Sequence, residues 1–195
     1  FGKFASSEPA DYTISFAAVS ACAAIVTFRN VHTVSTINQV QPRVTTTAGT
    51  SAPTTSITPN INDTEIVMLA ALADDLSFSS WNTPTLTERI DKNTLSGTDN
   101  AIGIAHVYQA GQTAVSPTAT IGSARSTTFL LALRPLPPTP PTVTSVTGNN
   151  PQNSNGTNGT FSITINGTGF VATPTVPVGG TAATGVSFVN STKLT

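Results

Sequence analysis

IAHVYQAGQTAVSPTATIGSARSTTFLLALR, residues 104–134, sets the class of the whole chain. It reads as the end of one strand, a small polar loop with a Pro, a Thr-Ile strand, a Ser-Ala loop and a last apolar strand. Working outward, runs of Thr, Val, Ile and Phe recur between Gly, Pro, Asn and Ser, and helix signals are almost absent. That is the pattern of an all-β sandwich or barrel. The spacing predicts strands at Tyr12–Phe16, Ala23–Arg29, Glu65–Ala73, Thr85–Lys92, Ala101–Tyr108, Thr118–Ile121 and Thr127–Arg134. Tyr12, Ile14 and Phe16 alternate with Thr13 and Ser15, as a half-buried strand requires. Ile25 to Phe28 and Phe129 to Leu133 are more continuous and suggest strands covered on both faces.

Residues 1–29 repeat the plan of residues 104–134. Phe4 matches Tyr108, Pro9 matches Pro117, Ile14 matches Ile121 and Arg29 matches Arg134. The later stretch follows three further expected strands and the lone Trp81, whereas the earlier one follows nothing. The expectation is one and a half copies of a duplicated sheet unit, lacking about fifty residues of opening strands.

Composition narrows function. The chain has 195 residues, 9% of them charged and 38% hydrophobic, with a net charge of −1. Its polar surface is therefore hydroxyl and amide, and no bulk field attracts nucleic acid or an anionic membrane. Between Arg134 and Lys193 there is no Asp, Glu, Lys or Arg, so that segment cannot supply the several cations phosphate binding needs. The apolar content in strand-like runs argues against disorder. One cysteine, Cys22, forms no internal disulfide framework and no Cys-based zinc site. Val19-Ser20-Ala21-Cys22 imitates a lipidation signal, but Glu8 and Asp11 stand where a basic region belongs and the apolar run continues past the cysteine. A buried strand cysteine is the better reading, and Phe16 to Phe28 is too short to span a bilayer.

Glu65 to Ala71, Trp81 with Leu86-Thr87-Glu88-Arg89, and Thr127 to Arg134 resemble a jelly-roll-type domain of large secreted bacterial proteins and phage virion proteins. The resemblance covers residues 1–135 without the opening strands. Leu136 to Thr142 is a Pro-rich linker, which favours an extended, semi-rigid spacer. Beyond it, Pro141 to Val146, Ile163 to Phe170, Val178 to Ala183 and Ser191 to Thr195 resemble an IPT/TIG domain, an immunoglobulin-like sandwich. Its glycines suit turns and bulges. Here an Asn-rich loop, Gly148 to Gly159, replaces the family's short turn, and residues 143–195 end before the family's closing strands.

Two unfinished sandwiches expose strand edges and apolar faces. Either a longer chain finishes them or neighbouring copies do, by strand addition. Repeated head to tail, such contacts build a filament. The assembly candidates are Phe4, Tyr12, Ile14, Phe16, Phe188 and Leu194.

Chemistry is sparse. His32 and His106 are the only histidines. His106 shares a strand face with Ile102, Ile104 and Tyr108 and reads as structural. No nucleophile elbow or phosphate loop occurs. Asp74, Asp75, Glu88, Asp91 and Asp99 come closest to a constellation; Ca²⁺ at Asp74 and Asp75 is the one metal candidate, and adjacent aspartates are more often solvated turn formers. Trp81, Tyr12 and Tyr108 invite a sugar-stacking reading, against which burial is the default. Sequons at Asn62, Asn155, Asn158, Asn166 and Asn190 are about as many as composition supplies, and Thr139 among prolines is an O-glycan candidate. No cofactor is expected.

These features point to a non-catalytic extracellular protein, a repeating subunit of a cell-surface fibre or fibril, with copies of itself or the rest of a longer chain as partner. A phage tail-fibre or capsid-decoration protein in a virion, and a carbohydrate-binding or spacer module of a secreted enzyme, are the alternatives.

Overall fold

The computed structural model describes residues 9, 12–15, 21–94, 99–148, 163–178 and 180–195, and these carry strands and no helix. The chain is all-β. It divides into two units, Phe1–Leu136 and Pro137–Thr195, with the division at the start of the Pro-rich stretch.

In the first unit the strands are β1 (Ile37–Pro53), β2 (Thr64–Leu72), β3 (Ser80–Asn82), β4 (Thr87–Asn93), β5 (Ala101–Gln109) and β6 (Thr118–Leu133). All pairings are antiparallel, in the order β1-β6-β2-β5-β4, with β3 also on β6. β6 organises this sheet. Along it Ala119 and Ile121 are buried, then Ala124, Ser126, Thr128, Leu130 and Ala132. The two-residue period holds in each half, but its parity changes between Ile121 and Ala124. The register with β1 slips on both sides of the Gly49–Ala124 pair, the mark of β-bulges that bend a ribbon. The bend gives β6 two neighbours on one side: β2 along Ser126–Leu133 and β3 along Thr118–Thr120. The two strands expected at Thr118–Ile121 and Thr127–Arg134 are thus one, and the expected Ser-Ala loop is its bulge.

The main core fills the inner side of this bend. Ile66, Met68, Leu72, Ile121 and Leu130 pack there with Phe78, Trp81 and Leu86. Phe78 and Trp81 stack with ring centroids 4.9 Å apart. Small residues on β5 make room for them: Ala101 and Ala105 flank Gly103, where an added Cβ would lie 2.7 Å from the Phe78 ring and 2.8 Å from Trp81. Trp81 Nε1 donates to Glu88 Oε2 at 2.8 Å, so its polar handle is satisfied by the neighbouring β4. Full burial of such aromatics stabilises by about 2–3 kcal/mol each.

The opposite face of the sheet carries a second apolar cluster, Val67, Ile104 and Leu133 with Leu69, Ile90 and Leu131. Residues 21–36 cross it as a strap. Ala24, Val26 and Phe28 point inward and Ala23, Ile25 and Thr27 outward. The alternation expected for Ala23–Arg29 is present, but residues 21–28 have no sheet partner, so this is not the strand the spacing predicts. Nor do Tyr12 to Ser15 form one, and Phe16 lies outside the described residues. The repeat therefore does not yield equivalent elements: residues 118–133 form the central strand of a sheet, and residues 21–28 lie flat across one.

The second unit comprises β7 (Thr142–Gly148), β8 (Ile163–Thr168), β9 (Pro177–Val178), β10 (Thr181–Ala182), β11 (Phe188–Asn190) and β12 (Lys193–Leu194). Four of these form a sheet in the order β11-β12-β8-β7, and β9 pairs with β10. Its core is Ile165, Phe170 and Leu194, supported by Ile163, Val176 and Val186. Gly167 is obligatory: a Cβ there would overlap the Thr142 carbonyl oxygen and sit 2.6 Å from the Phe170 ring. Most of the Asn-rich loop lies outside the described residues.

Candidate functional site: the open strand edges

Among the described residues every sheet ends in two strands whose outer backbone groups lack a sheet partner, and proteins normally protect such edges with charge, proline or bulges. The edges here differ in that protection. β4 is Thr-Glu-Arg-Ile-Asp-Lys-Asn, carrying both signs of charge and a bulge at Arg89. β1, at the other side of the same sheet, has 17 residues and one charge, Arg43. Its protection is Pro42, opposite Phe129; a proline sits in a sheet only where its missing N–H faces away from the ladder.

β7 is the least protected. All seven of its residues are exposed and none is charged. Its register slips between Val143 and Ser145, which turns Val143 and Val146 to one face. Val143 lies opposite Gly167 and Val146 opposite Ile165, which in turn pairs with Leu194. Across that row exposure rises from 2% at Leu194 and 6% at Ile165 to 59% at Val146, and Val143 is also 59% exposed. At the opposite edge, the short β11 presents Phe188, 37% exposed.

Among the assembly residues expected from sequence, Tyr12, Ile14 and Phe188 are surface residues. Leu194 lies in the core with Ile165 and Phe170, on an interior strand of its sheet. Phe4 and Phe16 lie outside the described residues. The two valines of β7 went unread because a Thr-Val-Thr-Ser-Val-Thr run shows its facing only once the bulge is known.

Five titratable groups, Asp63, Glu65, Arg89, His106 and Tyr108, contact one another in pairs around β5. His106 Nδ1 contacts Glu65 Oε1, and Arg89 Nε donates to His106 Nε2 at 2.5 Å. Nε2 is thus an acceptor, and the ring proton sits on Nδ1 toward Glu65. The Phe28 ring meets His106 edge-on, with centroids 5.8 Å apart. Nearby, Tyr108 Oη donates to Asp63 Oδ1, and this bond, with partial desolvation and the Asp63 charge, raises the phenol above its ordinary pKa. His106 is a packed, oriented ring.

The carboxylates do not converge. Glu88 holds Trp81, and Asp91 Oδ2 accepts from the Phe78 N–H at 3.1 Å. Asp74 Oδ1 accepts from the Asp75 N–H at 2.9 Å. Desolvation, a hydrogen bond with Asp74 and the Asp99 charge raise the Asp75 carboxyl above its usual value. Among the described residues no group of three or more His, Cys, Asp and Glu is arranged to hold a metal ion. Trp81 is 4% exposed and unable to present a face to a sugar. Thr139 and Asn190 are exposed, while Asn166 donates to Ser145 Oγ at 3.0 Å. Asn155 and Asn158 lie outside the described residues. Among the described residues no helix is long and apolar enough to cross a membrane.

Comparison with protein-family models, curated proteins and solved structures finds no match.

Proposed function

We propose that the chain is a non-catalytic extracellular structural protein, a fibre-forming subunit joined to its neighbours through β-strand edges. The observation that carries this reading is β7, an uncharged edge with two valines on the same face as the core residue Ile165. A strand added along β7 would satisfy its outer backbone groups and cover Val143 and Val146, the mode of recognition known as strand addition. Burying the exposed part of each valine stabilises by about 1–2 kcal/mol. β11, with Phe188, is the complementary edge of the same sheet. Joining unlike edges is heterologous and extends without closing unless its rotation returns on itself. The uncharged stretch from Pro135 to Thr192 brings no like-charge repulsion to the contact. A virion fibre or capsid-decoration protein would use the same edges, with cyclic symmetry in place of an open array.

The test is the concentration dependence of molar mass, by light scattering on a sizing column. The proposal expects mass to rise with concentration in the intact chain and to stay at the monomer value in Val146→Lys. A mass that holds at one protomer throughout, or the same rise in Val146→Lys, contradicts it.

A further inference from the structure

The strap joins the sheet in two different ways along its length. At its start, Cys22 Sγ donates to the Lys92 carbonyl at 3.3 Å. Residues 21–28 have no sheet partner, and Ala24, Val26 and Phe28 hold by packing on the cluster of Val67, Ile104 and Leu133. Beyond them the backbone is pinned. The Leu136 N–H donates to Asn30 O at 2.7 Å, the His32 N–H donates to Arg134 O at 2.9 Å, and Val31 bridges Pro135. Arg29 stands between the packed part and the pinned part. Its side chain is exposed, and Asn30 after it turns the chain with a left-handed φ of 59°, a conformation asparagine tolerates.

We propose that the Arg29–Asn30 bond is a processing site for an arginine-specific endoprotease, and that the cut uncovers the apolar face beneath the strap. Endoproteases take their substrate as an extended strand, pairing with its backbone as a sheet edge does. Residues 21–28 offer such a backbone when the strap lifts, and lifting them breaks side-chain packing rather than a ladder. Cleavage of a native chain follows the population of such local openings. The chain has five arginines, and the other four are poorer substrates. Arg43, Arg89 and Arg125 lie within β1, β4 and β6, where opening costs ladder hydrogen bonds. Arg134 precedes Pro135, which puts a fixed ring without an N–H on the leaving side of the bond. Hydrolysis adds water across the Arg29–Asn30 amide and leaves a carboxylate on Arg29 and an amine on Asn30. Asn30, Val31 and His32 stay pinned to the sheet, while Ala24, Val26 and Phe28 belong to the upstream piece. Their packing suffices while the strap is tethered, because tethering keeps its effective concentration high. A free peptide must also give up translational and rotational freedom to remain, so the upstream piece departs. A covered face thus becomes an open one in a single irreversible step. The site does not depend on the strand-edge reading, since β7 belongs to the other unit.

The test is limited digestion of the native chain with clostripain, which cuts after arginine, followed by intact-mass spectrometry. The product Asn30–Thr195 should appear first, about tenfold or more ahead of cleavage after any other arginine. Separated on a sizing column, it should lack the upstream peptide. It should also raise the emission of anilinonaphthalene sulfonate, a dye that reports exposed apolar surface, about threefold or more over the intact chain. Trp81, the single tryptophan, sits in the main core on the other side of the sheet, and its emission should not change. Arg29→Gln replaces an exposed side chain, and under the same digestion it should give neither the early product nor the dye response. The absence of a first cut after Arg29, an upstream peptide that stays with the cut chain, or an unchanged dye emission would overturn the proposal. So would a shift in Trp81 emission on cutting, or the same dye response in Arg29→Gln.

Discussion

Val146 and Ile165 stand opposite each other on adjacent strands and share a face, yet Val146 is ten times as exposed, at 59% against 6%. The core of the second unit therefore thins out toward β7. A hydrophobic side chain on the inner face of an uncharged edge strand is what strand addition covers. The proposed fibre contact rests on this pair.

Gly103 and Gly49 should respond oppositely to alanine. At Gly103 a methyl group would press into the stacked Phe78 and Trp81 rings, while at Gly49 nothing lies within 4 Å of the added Cβ. Gly103→Ala is expected to lose about 1–3 kcal/mol in urea unfolding through overpacking. Gly49→Ala should be neutral or gain up to about 1 kcal/mol by restricting the unfolded chain. Equal effects at the two sites would refute the aromatic packing described for the core.

Thr64 is fully buried and its hydroxyl has no hydrogen-bond partner. Leaving a buried hydroxyl unpaired costs about 1–3 kcal/mol. Thr64→Val keeps the shape and removes the hydroxyl, so its midpoint in thermal or urea unfolding should match or exceed that of the native chain. A loss of stability would mean the hydroxyl is paired in solution.

Tyr108 should ionise above the ordinary tyrosine value near pH 10, because its hydroxyl is held by Asp63. An acid whose folded pKa is raised contributes stability below its unfolded pKa and loses it as pH rises through the folded value. Absorbance at 295 nm in a Tyr12→Phe variant isolates this group. Adding Asp63→Asn should lower the titration midpoint, and an unchanged midpoint would sever the link to Asp63.

Much of the fold was legible in the sequence, because β2 and β5 have apolar runs of strand length bounded by turn residues. β1 was not. Its Thr-rich run has few apolar residues and a central proline, and its edge position leaves no apolar period to detect. Gly122-Ser123-Ala124 read as a loop because a bulge and a short turn share the same small residues. Ala24, Val26 and Phe28 alternate like a strand, but alternation reports burial of one side and says nothing of backbone pairing. The candidate site was legible only in outline. Phe188 falls on an edge and Leu194, six residues later, in the core, a difference set by strand order and invisible in a single apolar residue.

The most direct measurement is hydrogen exchange of the β7 amides, Thr142 to Gly148, as a function of protein concentration. Strand addition at this edge predicts that outward-facing amides of β7 exchange freely in dilute solution and become protected as copies associate, with Val143→Lys and Val146→Lys abolishing the change. Protection of β7 that is the same at every concentration while the particle mass grows would place the contact elsewhere and contradict the proposed assembly.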